Sequence, residues 1–159
     1  MEEKTKVTLY TDGACSGNPG KGGYGAILVH VDSNGVKHEK EFSEGFEHTT
    51  NNQMELLAVI VGLEALKKSC SVKIISDSKY VVDSIEKGWL DNWVKKGWRK
   101  SDNKPVPNCE LWKRLINAMK NHDIELEWIK GHAGHEYNER CDRLAVAAYK
   151  KDDLKAEVG

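Results

Sequence analysis

Two short stretches run apolar for a strand's length and then meet an aspartate. In residues 6–12, Val7, Leu9 and Thr11 alternate with Thr8, Tyr10 and Asp12. In residues 72–76 a short apolar strand delivers Asp77. Ligand sites in α/β sheets gather at strand carboxyl ends, so if these strands are neighbours the two carboxylates converge. Like charges held together repel, and a hard divalent cation with oxygen ligands compensates them well.

The segments between and beyond fit an α/β domain. A glycine-rich turn is expected over 13–23, then a strand over 24–31, an Asn34-Gly35 hairpin and a polar strand over 36–43. Thr50 and Gln53 have the spacing of a capping box, which places an apolar helix over 54–66. Further helices are read over 78–85, 108–121 and 138–149, with a last strand over 124–129. The order is βββαβα, an inserted helical stretch, then αβα. That implies a mixed sheet with helices packed on it. With 159 residues, 39% hydrophobic and 31% charged, one soluble domain over 1–150 is expected. The charged tail 151–159 reads as frayed.

Two further acids stand beside apolar faces. Glu55 is read in the first turn of its helix and shares a face with Val59 and Gly62, so it should point inward. Asp142 is read at the start of the last helix, beside Ala145 and Val146. Each acid has a plainer role open to it. Asp12 suits a turn before Gly13, Asp77 could cap the helix from Ser78, and Glu55 and Asp142 could answer helix dipoles. The functional reading rests on all four together. Four carboxylates without a thiolate suit Mg²⁺, or Mn²⁺, rather than Zn²⁺. Two such ions, roughly 3.5–4 Å apart, stabilise the attacking and leaving oxygens of an in-line phosphoryl displacement.

His132 lies between Gly131 and Gly134 in a loop after the last strand, where it could shuttle a proton or simply be solvated. The remaining histidines read as surface or sheet residues. Residues 87–104 hold Trp89, Trp93 and Trp98 with Lys87, Lys95, Lys96, Arg99, Lys100 and Lys104, against only Asp91 and Asp102. The formal net charge is −1, so nucleic-acid contact has to come from local placement such as this. The tryptophans could equally anchor a helical insertion, Trp93 and Trp98 above all.

Six blocks of sequence resemble bacterial ribonuclease H of type I. They are Tyr-Thr-Asp-Gly-Ala-Cys-Ser-Gly-Asn-Pro-Gly (10–20), Thr-Asn-Asn-Gln-Met-Glu-Leu (50–56), Ser-Asp-Ser-Lys-Tyr-Val (76–81), Trp-Val-Lys-Lys-Gly-Trp (93–98), Gly-His-Ala-Gly-His (131–135) and Asn-Glu-Arg-Cys-Asp (138–142). The likeness is collinear over roughly residues 5–150. It implies five mixed strands flanked by helices, with Asp12, Glu55, Asp77 and Asp142 as metal-binding acids and His132 as the catalytic histidine. It makes Trp89, Trp93, Lys95, Lys96, Arg99 and Lys100 part of a basic protrusion that grips an RNA–DNA hybrid. It also assigns Gly13, Cys15, Asn18, Asn51 and Asn52 to contacts with the hybrid's minor groove or backbone. Gln53 stands where some relatives carry arginine, and Glu136-Tyr137 follow His135. These departures leave the four acids untouched.

The expected activity is endonucleolytic cutting of the RNA strand of a hybrid, with two Mg²⁺ ions. The other readings are a different metal nuclease on the same fold and a non-catalytic hybrid-binding module. Residues 1–4 are charged and show no apolar signal region, and no apolar run spans a bilayer. Cys15, Cys70, Cys109 and Cys141 form no C-x-x-C pair. A reduced, cytoplasmic, monomeric protein without a membrane partner or an added N-terminal hybrid-binding domain is therefore expected.

Overall fold

The computed structural model describes residues 4–131 and 134–157. A mixed sheet is built from β1 (Thr5–Ser16), β2 (Gly20–Val31), β3 (Lys37–Thr49), β4 (Cys70–Ser76), β5 (Asp123–Trp128) and β6 (Lys155–Glu157). Its order is β5-β4-β1-β2-β3-β6. β1, β2 and β3 form an antiparallel meander, whereas β4 joins β1, and β5 joins β4, in parallel. Five strands were expected and six are present among the described residues. The sixth is the tail expected to be frayed, which pairs in parallel with β3 at Phe46 and His48.

The helices are α1 (Asn51–Glu64), α2 (Lys79–Glu86), α3 (Trp89–Lys95), α4 (Cys109–Met119) and α5 (Glu136–Tyr149). The expected capping box opens α1. The Thr50 hydroxyl accepts from the Gln53 N–H, and the Gln53 side chain accepts from the Thr50 N–H. Every residue from Met54 to Ile60 is buried, so α1 is a central helix with little polar face. Alternation along β1 separates the layers: Leu9 lies against Gly62 of α1, while Tyr10 stacks on Tyr137 of α5. α4 packs beside α1 and contributes the fully buried Trp112.

The glycine-rich segment is not one long turn. β1 continues to Ser16 and β2 resumes at Gly20. Its glycines serve packing. A Cβ on Gly23 or Gly25 would strike the backbone carbonyl of Ala145 or Cys141, so α5 lies directly on the bare backbone of β2. No helix is long and apolar enough to cross a membrane among the described residues.

Candidate active site

The parallel register of β1 and β4 brings the two strand-borne acids together. The ladder ends at the pair Thr11↔Ser76, and the next residue on each chain is Asp12 and Asp77. Asp12 is not the end of its strand, as the sequence suggested. β1 runs on for four more residues, paired with β2 alone, so Asp12 sits where the β4 ladder stops. Asp77 is not the helix cap either: Ser78 caps α2, its hydroxyl accepting from the Val81 N–H.

Glu55 reaches the same point from α1. It lies in the second turn rather than the first, and it does point inward, at 9% exposure. Gly13 makes that approach possible. A Cβ there would sit 2.8 Å from both the Glu55 nitrogen and the Met54 Cβ. One carboxylate oxygen from each of Asp12, Glu55 and Asp77 lies within 4.8 Å of the others. Asp142 stands outside this triad, half-buried in the middle of α5, where neither end of the helix dipole explains it. Its charge is nevertheless felt at Asp12.

The cluster is electrostatically uncompensated. Burial, then the Asp77 and Asp142 carboxylates, push Asp12 up to about 8. Burial, then Asp12 and Asp77, hold Glu55 well above the usual carboxylate range. The buried Glu55 Oε2 has no hydrogen-bond partner among the described residues. A buried carboxylate with one oxygen left without a partner, lying within 4.8 Å of two other carboxylates, fits a hard cation. Asp12, Glu55 and Asp77 are the residues placed to hold it, with Asp142 as an outer acid.

Around the acids, the β1–β2 hairpin and the start of α1 form one surface. Asn18 Oδ1 accepts from the Asn51 N–H at 3.1 Å, and the Cys15 thiol lies 3.4 Å from the Thr49 carbonyl. Gly13, Cys15, Asn18, Asn51 and Asn52 are thus neighbours on this surface. His132 falls outside the described residues. Segment 87–104 folds as α3 followed by a loop that returns through the Arg99–Pro105 bridge. Trp93 packs on Trp112, and Lys113 lies over the half-buried Trp98. Both are anchors, as the plainer reading held. Trp89 is 43% exposed with Lys87 over it, and Lys95, Lys96, Arg99 and Lys100 are exposed.

Two contacts of Asp77 are not foreseen from sequence. The Trp128 indole donates to the Asp77 carbonyl at 3.0 Å, and a Cβ on Gly131 would sit 2.6 Å from Asp77 Oδ2. No local pattern announces either contact, because each crosses about fifty residues of chain.

A mixed sheet that collects carboxylates where its middle strands part fits a metal-dependent α/β enzyme. Comparison with known proteins narrows the class. The RNase H family model matches residues 4–150. A ribonuclease H of Lachnoclostridium phytofermentans is 58% identical over 144 residues, which is 90% of this chain and 91% of that one. The crystal structure of LC9-RNase H1, a type 1 RNase H with the type 2 active-site motif, superposes with a TM-score of 0.85 at 30% identity. It covers 94% of this chain and 74% of that one. LC11-RNase H1, crystallised with an RNA/DNA hybrid, gives a TM-score of 0.63 at 25% identity over 91% and 96% of the two chains. The chain belongs to the RNase H family, and it is a metal-dependent endoribonuclease.

Proposed function

We propose that the chain cuts the RNA strand of an RNA–DNA hybrid by two-cation phosphodiester hydrolysis, leaving 5′-phosphate and 3′-hydroxyl ends. The observation that carries this reading is the convergence of Asp12, Glu55 and Asp77, with Glu55 Oε2 left without a partner. The hybrid bound by LC11-RNase H1 supports the choice of substrate. Two Mg²⁺ ions, with Mn²⁺ as a substitute, would supply a water acidic enough to attack near neutral pH and positive charge for the departing oxygen.

The protein groups divide the remaining work. Asp12, at the centre of the sheet, would hold the cations together with Glu55 and Asp77, and Asp142 would add charge from α5. His132 moves a proton or helps product leave, a role that rests on the family resemblance. Gly13, Cys15, Asn18, Asn51 and Asn52 lie along the strand to be cut, where the ribose 2′-hydroxyl marks RNA. Lys95, Lys96, Arg99 and Lys100 meet phosphates, and Trp89 and Trp93 complete that protrusion.

The test uses a hybrid labelled on either strand, with Mg²⁺ or EDTA, and the wild type beside Asp12→Asn. The expected result is cutting of RNA alone, lost with EDTA and with Asp12→Asn. Duplex RNA and branched DNA serve as competing substrates. Preference for either would point to a different nuclease on this fold. Hybrid binding without cutting in Mg²⁺ or Mn²⁺ would make the chain a binding module.

A further inference from the structure

Trp128 is the last residue of β5, and its ring is 42% exposed. Burial therefore does not account for it, but its hydrogen bond does. The β4–β5 ladder ends at Ser76↔Trp128, and the Ile129 N–H still donates to the Ser76 carbonyl at 3.0 Å. The next carbonyl along the chain is Asp77's, beyond the end of β4. The Trp128 indole N–H reaches it at 3.0 Å, so a side chain takes over where the backbone ladder stops. On the far side of Asp77, the chain returns so closely at Gly131 that a Cβ would press on the carboxylate oxygen. Lys79, the first residue of α2, places its ammonium 4.9 Å from the centre of the Trp128 ring. The indole thus ties together the end of β5, the backbone of residue 77 and the start of α2.

We propose that Trp128 is a positioning residue for Asp77: its indole N–H holds the residue-77 peptide so that the carboxylate stays aimed at Asp12 and Glu55. This rests on the reading of those three acids as a cation site. Asp77 has one strand neighbour behind it and only a helix cap ahead. A freed carbonyl lets the 77–78 peptide turn, and the carboxylate swings with it. Residues that hold metal ligands in place typically affect metal affinity or activity by about 10–100-fold.

The experiment titrates Mn²⁺ calorimetrically into the full chain without nucleic acid, and separately measures kcat and KM for hybrid against Mg²⁺ concentration. Trp128→Phe keeps an aromatic face under Lys79 and removes the N–H. Trp128→His keeps a ring donor. Thermal unfolding in EDTA establishes that both are folded. The expected result is Mn²⁺ affinity about tenfold weaker in Trp128→Phe. The Mg²⁺ requirement should rise in parallel, KM for hybrid at saturating Mg²⁺ should be unchanged, and Trp128→His should recover part of the loss. Unchanged Mn²⁺ affinity with a raised KM would overturn the proposal and make Trp128 a substrate contact. Unchanged values throughout would overturn it outright. Asp77→Asn is the control for the underlying site: intact Mn²⁺ binding there would mean that the triad is not the cation site, a failure distinct from that of Trp128 alone.

Discussion

Asp12 and segment 87–104 differ in how the chain holds them. Asp12 has strand neighbours, a helix against Gly13 and two carboxylates within 4.8 Å; it is 4% exposed. The basic segment meets the rest of the molecule through the buried Leu90 and the half-buried rings of Trp93 and Trp98. Trp98 even adopts a left-handed backbone, φ 64°, directly after Gly97 at 69°. That conformation costs a bulky residue about 1–3 kcal/mol, a cost offset by seating the ring against the core. Its cations stand in solvent, and no acid lies within ion-pair reach of Lys95, Lys96 or Arg99 among the described residues. The acidic site keeps like charges together in a rigid, buried place. The basic segment spreads like charges over an exposed surface, where water already screens them. Chemistry at a phosphorus atom demands the first arrangement, and a grip on a long polyanion needs only the second.

The contrast is broken most severely at Asp12. Asp12→Asn removes the central acid, and several kcal/mol of transition-state stabilisation should go with it, about a thousandfold or more in kcat. Hybrid affinity should change little. A variant that lost binding and cleavage together would erase the division between the two regions. Steady-state cleavage beside filter binding in Ca²⁺ measures both.

Legibility followed the same division. Local chemistry was plain in the sequence: the Thr50–Gln53 capping box and the Asn34-Gly35 turn, where Asp32 accepts from the Asn34 and Val36 N–H groups. The two strands and their aspartates were also legible, but their meeting depends on parallel pairing of residues 5–11 with 70–76, which no local pattern encodes. The turn expected over 13–23 gives way to strand at Gly22 and Gly23, and the helix that needs Gly23 bare begins over a hundred residues later. Glu55 was placed inward correctly, since helical spacing put it with Val59 and Gly62. The tail's strand was hidden because Lys155–Glu157 is short and exposed and pairs only with the sheet's edge. The Trp128 bond joins partners fifty-one residues apart and leaves no trace in either one's surroundings.

The tryptophans sharpen the comparison next. Trp93→Ala should cost about 2 kcal/mol, less than a fully buried tryptophan because the ring is half-exposed. Trp89→Ala should stay within about 0.5 kcal/mol. Denaturant midpoints measure both, and equal losses would mean that the outer ring is also an anchor. A separate effect should appear in metal-free protein as pH changes. The ordinary value for Asp12 is 3.8 and its folded value is about 8, so the folded state holds the proton more tightly. The stability this contributes is complete below about pH 4 and is lost as pH rises through about 8. The thermal midpoint in EDTA should therefore fall between pH 5 and 8, and Asp12→Asn should flatten the fall. A wild-type midpoint that rose over that window would contradict the crowding of the acids.

The smallest effect belongs to the basic segment, and it is the one that tests whether the segment grips at all. Lys95→Ala with Lys96→Ala should weaken hybrid binding several-fold near physiological salt and lower the slope of log affinity against log salt by up to about 2. Because both side chains are exposed, stability should be nearly unchanged. With hybrid saturating, kcat should match the wild type, since neither ammonium approaches the acids in sequence or takes part in their ladder. The pair thus mirrors Asp12→Asn: binding lost with turnover kept, against turnover lost with binding kept. An unchanged salt slope would leave the tryptophans as the segment's whole function and move the phosphate contacts to the hairpin surface around Asn18 and Asn51, where the backbone N–H of Asn51 already has an acceptor in Asn18.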